Sequence, residues 1–254
     1  MCLLVFAWKA HPDLPLVFAG NRDELHARPA AAAGFWDDAP QILAGRDLQA
    51  GGTWLGVTAG GRFAVVTNYR DGLNPVSGRH SRGELVSEFL RSKMTAQEYC
   101  LQVQARGDEY AGFSLLTGDR DTLWYVSNRG ADAQAVAPGV HGLSNHLLDT
   151  PWPKVTRSAA RLQLLLETNH PGSDALLRLL SDRTPAETDE LPDTGIGMEL
   201  ERKISAPFVT DPRYGTRCST AILLGDAGLD FTERRFTPAG TTLETRHFMI
   251  EVTA

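Results

Sequence analysis

The sequence predicts an α+β fold, a four-layer αββα sandwich in which two mainly antiparallel sheets face each other between outer helices. Strand-like and helix-like segments follow one another in groups, an order that indicates α+β rather than repeated βαβ units. Several strand-like runs are apolar almost throughout, which indicates strands covered on both faces. The 254 residues contain no internal repeat and no convincing linker, so we expect a single domain over residues 1–254.

The first seventy residues are predicted to be β structure. The turn residues His11-Pro12-Asp13 and Ala59-Gly60-Gly61 each separate two apolar runs, as in antiparallel hairpins. Because Pro29 and an alanine run follow the second apolar run, we expect the chain to turn soon after Gly20. The runs that predict strands are Cys2–Trp8, Pro15–Gly20, Thr53–Thr58 and Phe63–Asn68.

Helices follow in two groups. Ser81-Arg82-Gly83-Glu84 and Thr95-Ala96-Gln97-Glu98 are capping-box patterns with apolar residues at helical spacing behind them. Leucines at helical spacing predict two further helices over Lys154–Glu167 and Ser173–Ser181. Residues Asp182 to Asp211, rich in Pro, Asp, Thr and Gly, are predicted to be mainly loop. Later strands are predicted at Phe113–Thr117, Leu123–Ser127, His141–Asn145, Cys218–Leu224, Leu229–Phe236 and Thr242–Val252, with a loop over Ser127–Gly139.

Composition argues against several classes of partner. With 22% charged residues, a net charge of -6 and no basic run, the chain is not expected to bind nucleic acid. Its longest apolar runs are about seven or eight residues, so no integral membrane segment is expected. Three widely spaced cysteines suit neither a disulfide framework nor a zinc site. Residues 1–8 lack the features of a signal peptide, so a cytoplasmic location is expected, and no pattern specifies an oligomeric state.

Cys2 is the first candidate catalytic residue. Methionine is normally removed before a small second residue, and loss of Met1 would leave a thiol and a free α-amine on one residue. This amine has an unperturbed pKa of roughly 7.7–8.0, so it can take the thiol proton near neutral pH. Such an N-terminal nucleophile needs no histidine base. The alternative is that Cys2 is a small apolar residue beginning a buried strand.

Polar residues that suit an amide-cleaving site follow the predicted strands. Asparagines can donate to a developing oxyanion, while an arginine and a carboxylate can orient the nucleophile. Because side chains alternate along a strand, Asn21 and Asp23 should face one way and Arg22 and Glu24 the other, unless the chain turns there. Each residue also has a structural alternative: a solvated turn, a strand-end cap or a local ion pair. The candidates are Asn21, Arg22, Asp23, Glu24, Asn68, Asn145 and Arg217.

Five segments taken together resemble the NRDE family, also called the transport and Golgi organisation protein 2 family. The resemblance covers nearly the whole chain and is more specific than any one tetrapeptide. The segments are Gly20-Asn21-Arg22-Asp23-Glu24, Thr53-Trp54-Leu55-Gly56, Thr67-Asn68-Tyr69-Arg70, Ser144-Asn145 and Tyr214-Gly215-Thr216-Arg217.

The resemblance implies the αββα fold of N-terminal-nucleophile hydrolases, with a cysteine as second residue. It also implies links to haem trafficking and to lipid or acyl-CoA metabolism. Asn68, Asn145 and Arg217 match positions of the related cholylglycine-hydrolase group by their order in the chain.

Two functions are therefore predicted for one cleft. The first is a Cys2-dependent hydrolase of a small amide or acyl substrate, which requires no cofactor. The second is a non-enzymatic carrier of haem or an acyl ligand, in which His146 contacts the haem and Arg22, Arg70 or Arg217 binds its propionates. A purely structural module is the third alternative. The scattered histidines form no helical metal-site pair, so no metal is expected.

Overall fold

The computed structural model describes residues 2–74, 77–130, 132–167, 171–225 and 228–251. Within these ranges the chain forms thirteen strands and five α-helices. The strands are β1 (Cys2–Trp8), β2 (Leu16–Leu25), β3 (Ala30–Trp36), β4 (Ala39–Asp47), β5 (Leu55–Thr58), β6 (Phe63–Asn68), β7 (Phe113–Gly118), β8 (Leu123–Ser127), β9 (Gln134–Ala135), β10 (Gly139–Leu143), β11 (Tyr214–Gly225), β12 (Gly228–Phe236) and β13 (Thr242–Ile250). The helices are α1 (Arg82–Arg91), α2 (Ala96–Ala105), α3 (Pro153–Glu167), α4 (Ser173–Leu179) and α5 (Met198–Lys203).

Two antiparallel sheets lie face to face. The six-stranded sheet has the order β10-β1-β2-β11-β12-β13, and the seven-stranded sheet has the order β3-β4-β5-β6-β7-β8-β9. Helices α3 and α4 cover the outer face of the six-stranded sheet, and α1 and α2 cover that of the seven-stranded sheet. The predicted αββα sandwich is confirmed.

The space between the sheets holds the central core. Phe18 of β2 meets Phe63 of β6 edge to face, with 5.2 Å between the ring centroids. Along β1, Leu4 and Phe6 face this core, whereas Leu3 packs with residues of α3 and α4. Because both faces of β1 are buried, its sequence is apolar throughout.

Strand β2 continues through the polar residues Asn21–Glu24. It pairs with β1 along one edge and with β11 along the other, and ends at Leu25. The predicted turn soon after Gly20 is wrong, since the chain turns only at residues 26–28. Pairing on both edges outweighs the local preference of polar residues for a turn.

Strands β3 and β4 lie in the region predicted to be β structure, but no individual predicted run covers them. Several element ends differ from the prediction by a few residues, and short elements lie inside predicted loops. Helix α5 and a 3-10 turn at Thr188–Glu190 lie within the segment predicted to be mainly loop, and β9 lies within the loop predicted over Ser127–Gly139. These elements have at most six residues, too few for a clear periodic pattern. Val252, the last residue of the final predicted strand, lies outside the described residues, as does Met1. Among the described helices, none has the length and apolar character needed to cross a membrane.

Candidate active site at the start of the first strand

Cys2 lies at the start of β1 and faces the space between the sheets. Its Cα partner across the β1–β2 hairpin is Arg22, and its side chain packs against the same core as Leu4. A cavity of about 320 Å³ opens beside it, which we call the Cys2 cavity. Its charged lining residues are Arg22, Asp23, Glu24, Arg28, Asp47 and Arg82.

The sulfur of Cys2 has donors and a cation close by. Burial raises the pKa of the Cys2 thiol, while a hydrogen bond from the backbone N–H of Asp23 and the charge of Arg22 act to lower it. The Ser144 hydroxyl donates to the Cys2 carbonyl oxygen at 2.8 Å, which fixes the backbone of the residue. The thiol is therefore held in place at the wall of the cavity.

Arg22 is fixed between the two sheets. Its guanidinium lies 4.1 Å from the ring centroid of Trp54, which belongs to the segment leading into β5 of the opposite sheet. It also pairs with Glu24 at 3.7 Å, and the residue is only 6% exposed. Stacking and pairing hold a permanent positive charge directly opposite Cys2.

Asp23 extends mainly to the other face of β2, as the alternation of side chains predicts. It is buried, and its Oδ1 accepts a hydrogen bond from the Thr216 hydroxyl at 2.7 Å. Burial raises the pKa of the Asp23 carboxyl, while Lys154, the Thr216 hydrogen bond and Arg22 oppose that rise. Because Asp23 stands near the end of β2, it borders the Cys2 cavity as well.

The three candidate asparagines lie in different environments. Asn21 is buried, donates to the carbonyls of Leu180 and Pro207, and accepts from Ser219, so its amide is used in packing. Asn145 has a positive φ of 43° and donates to the backbone carbonyl of Asn68 at 3.1 Å. Asn68 is the member of the three that lines the Cys2 cavity.

Arg217 and His146 lie outside the lining of the Cys2 cavity. Arg217 sits at a bulge in β11 and donates to the backbone carbonyls of Leu25 and Arg28. Both ring nitrogens of His146 have partners, the Tyr69 hydroxyl and the Thr150 hydroxyl, each at 2.8 Å. The geometry gathers Cys2 with Arg22, Asp23, Glu24 and Asn68, and places the other candidates around them.

The lining of the cavity includes charged residues that the sequence analysis did not single out as site candidates. Arg28 pairs with Asp47 at 2.7 Å. Arg82, the first residue of α1, donates to the Gly112 carbonyl at 3.0 Å, and burial lowers the pKa of its guanidinium. A capping box at Ser81 fixes this end of α1. The capping-box pattern could be recognised in the sequence, but the position of this helix end beside Cys2 depends on the packing of α1.

A second group of buried charges lies on the α3 side of Asp23. Arg70 pairs with Glu201 of α5, and its guanidinium also donates to the Asn145 side chain at 3.2 Å. Lys154 of α3 is 2% exposed and donates to the Ile204 carbonyl at 3.0 Å. These residues come from segments far apart in sequence, and the only signal in the chain was Arg70 in the quoted Thr67–Arg70 segment.

Comparison with known proteins gives consistent matches over most of the chain. The family model described as Transport and Golgi organisation 2 matches residues 1–238. The bovine Transport and Golgi organization protein 2 homolog is 40% identical over 261 residues and the human homolog 37% over 259, each match covering 92% of both chains.

Two solved structures share the fold at low sequence identity. One is a Caenorhabditis elegans N-acylethanolamine-hydrolyzing acid amidase ortholog, with a TM-score of 0.51, 12% identity and coverage of 87% of this chain and 92% of that one. The other is the C2A mutant of conjugated bile acid hydrolase from Clostridium perfringens, with a TM-score of 0.55, 7% identity and coverage of 98% and 92%. At these identities the likeness concerns the fold.

Proposed function

This chain belongs to the Transport and Golgi organisation 2 family, and we propose that its Cys2 cavity hydrolyses the amide bond of a small acyl-amide substrate. The observation that carries the proposal is the arrangement at the sulfur. Cys2 is paired with Arg22 across the hairpin, and its sulfur accepts a hydrogen bond from the backbone N–H of Asp23. The residue also lines a polar cavity. A cysteine that served only as a small apolar residue would need none of these groups.

The reaction begins after loss of Met1, when the α-amine of Cys2 takes the proton of its own thiol. The thiolate attacks the amide carbonyl carbon, and the ammonium returns the proton to the leaving nitrogen as the C–N bond breaks. Water then gives a proton to the amine and attacks the thioester, and the C–S bond breaks to release the acid. The thiolate recovers its proton from the ammonium, so the cycle consumes only water.

The side chains around Cys2 supply charge and orientation to these steps. Arg22 favours the thiolate, because a fixed positive charge nearby stabilises the ionised form. The Asn68 side chain is the asparagine amide on the cavity wall and is assigned as donor to the oxyanion of the tetrahedral intermediate. Asp23 orients the α-amine from the far side of β2.

The names of the structural neighbours support the same class of reaction. One is named for hydrolysis of N-acylethanolamines and the other for hydrolysis of conjugated bile acids. Both share this αββα arrangement, which makes an amide with an apolar acyl part a reasonable first substrate class to test.

The test combines intact mass with trapping of the acyl intermediate. Purified protein should lack Met1, and a panel of N-acyl amides with chromogenic leaving groups should yield at least one compound that acylates the Cys2 peptide. Cys2→Ala should abolish the adduct, whereas Cys100→Ala, which changes a buried thiol on α2, should retain it. Full retention of Met1, or adducts that survive Cys2→Ala, would refute the proposal.

The alternative is a carrier of haem or an acyl lipid using the same cavity. Charged side chains and peptide groups form most of the wall, whereas Trp54 and Val66 are its larger apolar members. His80 borders the cavity, but His146 does not. This lining does not provide the apolar walls that a porphyrin requires, so no step here involves haem. Titration with haemin tests the alternative: a Soret shift lost in His80→Ala would favour it, and an unaltered spectrum would count against it.

A further inference from the structure

Lys154 occupies an unfavourable position for a cation. It is the second residue of α3 and is only 2% exposed, with its ammonium donating to the Ile204 carbonyl at 3.0 Å. The first turn of a helix carries the positive end of the helix dipole, which disfavours a lysine. Burial also disfavours the charged form and lowers the pKa of Lys154 to about 8. Such a cation requires a nearby anion.

The charges around Lys154 identify that anion. Arg70 and Glu201 pair directly with each other, which balances one buried cation against one buried anion. Asp23 is the acid that most strongly opposes the loss of the Lys154 proton, and Lys154 in turn opposes protonation of Asp23. The N-terminal α-amine is the first charge that opposes protonation of Asp23, and Lys154 is the second. The other titratable and charged groups facing this pair are Cys2 of β1, Arg22 of β2, Arg70 after β6, Glu201 of α5 and Tyr214 of β11.

We infer that Lys154 is a positioning residue whose buried ammonium holds Asp23 as a carboxylate beside Cys2. The inference rests on the proposed function for its purpose, since an ionised Asp23 can accept a hydrogen bond from the α-amine and orient it towards the thiol. A protonated Asp23 would lose that acceptor strength. The effect operates while Lys154 is charged and fades as the pH rises through about 8.

A merely structural role makes a different prediction. Lys154 also ties α3 to the end of α5 through the Ile204 carbonyl, and loss of this bond alone would lower stability. Loss of this hydrogen bond alone would leave the pKa of the Asp23 carboxyl unchanged. The two roles are therefore separated by measuring the Asp23 carboxyl itself.

The experiment follows the side-chain carboxyl carbon of Asp23 by NMR in protein labelled with ¹³C-aspartate, with Asp23→Asn to assign the signal. In Lys154→Met the titration midpoint of Asp23 should rise by about one pH unit or more, the size expected when an opposite charge nearby is removed. Ser158→Ala, a buried change one turn further along α3, should leave the midpoint in place. An unmoved midpoint in folded Lys154→Met would overturn the inference.

If Lys154→Met does not fold, the unmodified protein still provides the test. The Asp23 signal should then show an inflection at the midpoint of the Lys154 side-chain signal, near pH 8, that is separate from any inflection at the midpoint of the α-amine. Independent midpoints would overturn the inference. Neither measurement depends on turnover: a shifted Asp23 with no acylation of Cys2 refutes hydrolysis alone, and acylation with an unmoved Asp23 refutes the role of Lys154 alone.

Discussion

At the scale of single residues, Arg22 sets the charge beside the Cys2 thiol. It is buried, stacked on Trp54 and paired with Glu24, so it cannot swing away into solvent. Burial of the thiol acts in the opposite direction and raises its pKa. The charge of Asp23 also raises the thiol pKa, while the N-terminal amine and the backbone N–H of Asp23 act with Arg22 to lower it. The reactivity of Cys2 depends on the balance of these effects.

Replacing Arg22 should therefore slow modification of Cys2. In Arg22→Met the thiol pKa rises, and alkylation of Cys2 by iodoacetamide at pH 7 should fall roughly tenfold for a rise of about one pKa unit. The alkylation rate of Arg22→Lys should lie between those of Arg22→Met and the unsubstituted protein, because lysine keeps the charge but stacks less well on Trp54. Peptide mass spectrometry measures the rates.

Arg46→Met is the matched control. Arg46 also stacks on a tryptophan, Trp36, with its guanidinium 4.3 Å from the ring centroid, but it does not line the Cys2 cavity. Its loss should leave the alkylation rate of Cys2 unchanged. Equal rates in Arg22→Met and the unmodified protein would show that Arg22 does not tune the thiol.

At the scale of elements, the β1–β2 hairpin decides what the sequence reveals about the site. Hairpin register places Cys2 opposite Arg22, and strand alternation separates Arg22 and Glu24 from Asn21 and Asp23. Both features depend on residues close in the chain and could be predicted. The continuation of β2 could not, because it depends on β11, which lies nearly two hundred residues further along.

Asn21 shows how a polar side chain can be buried in this central strand when its hydrogen bonds are satisfied. Its amide bridges β2 to the carbonyls of Leu180 and Pro207, and Ser219 completes the set. Asn21→Ala should lower the free energy of unfolding by about 2–4 kcal/mol, since three buried groups lose a partner. Chemical denaturation measures this value. Asn74→Ala, at an exposed turn residue, should have little effect, and comparable losses in both variants would contradict this role of Asn21.

At the scale of the whole molecule, the order of apolar segments was enough to predict the αββα sandwich. Strands apolar throughout must be covered on both faces, and grouped helices provide the outer layers. The buried charges beside Asp23 could not be predicted. Lys154, Arg70 and Glu201 belong to three segments that meet only when α3 and α5 pack near β1 and β2.

The interface between the sheets should dominate stability. Phe63→Ala removes a fully buried ring that contacts Phe18, and should lower the free energy of unfolding by about 3–5 kcal/mol. Phe35→Ala is the control, because Phe35 is 47% exposed. This substitution should lower the free energy of unfolding by less than about 1 kcal/mol. Similar losses for the two variants in chemical denaturation would contradict this description of the core.

The central claim is that Cys2 is a freed N-terminal thiol facing the cavity beside Arg22. A crystal structure of the purified protein after reaction with iodoacetamide tests it most directly. We predict a chain that begins at Cys2, with the carbamidomethyl group on its sulfur lying in the cavity near Arg22 and Asn68. A retained Met1, or an unmodified Cys2 with its sulfur sealed among apolar side chains, would contradict the claim.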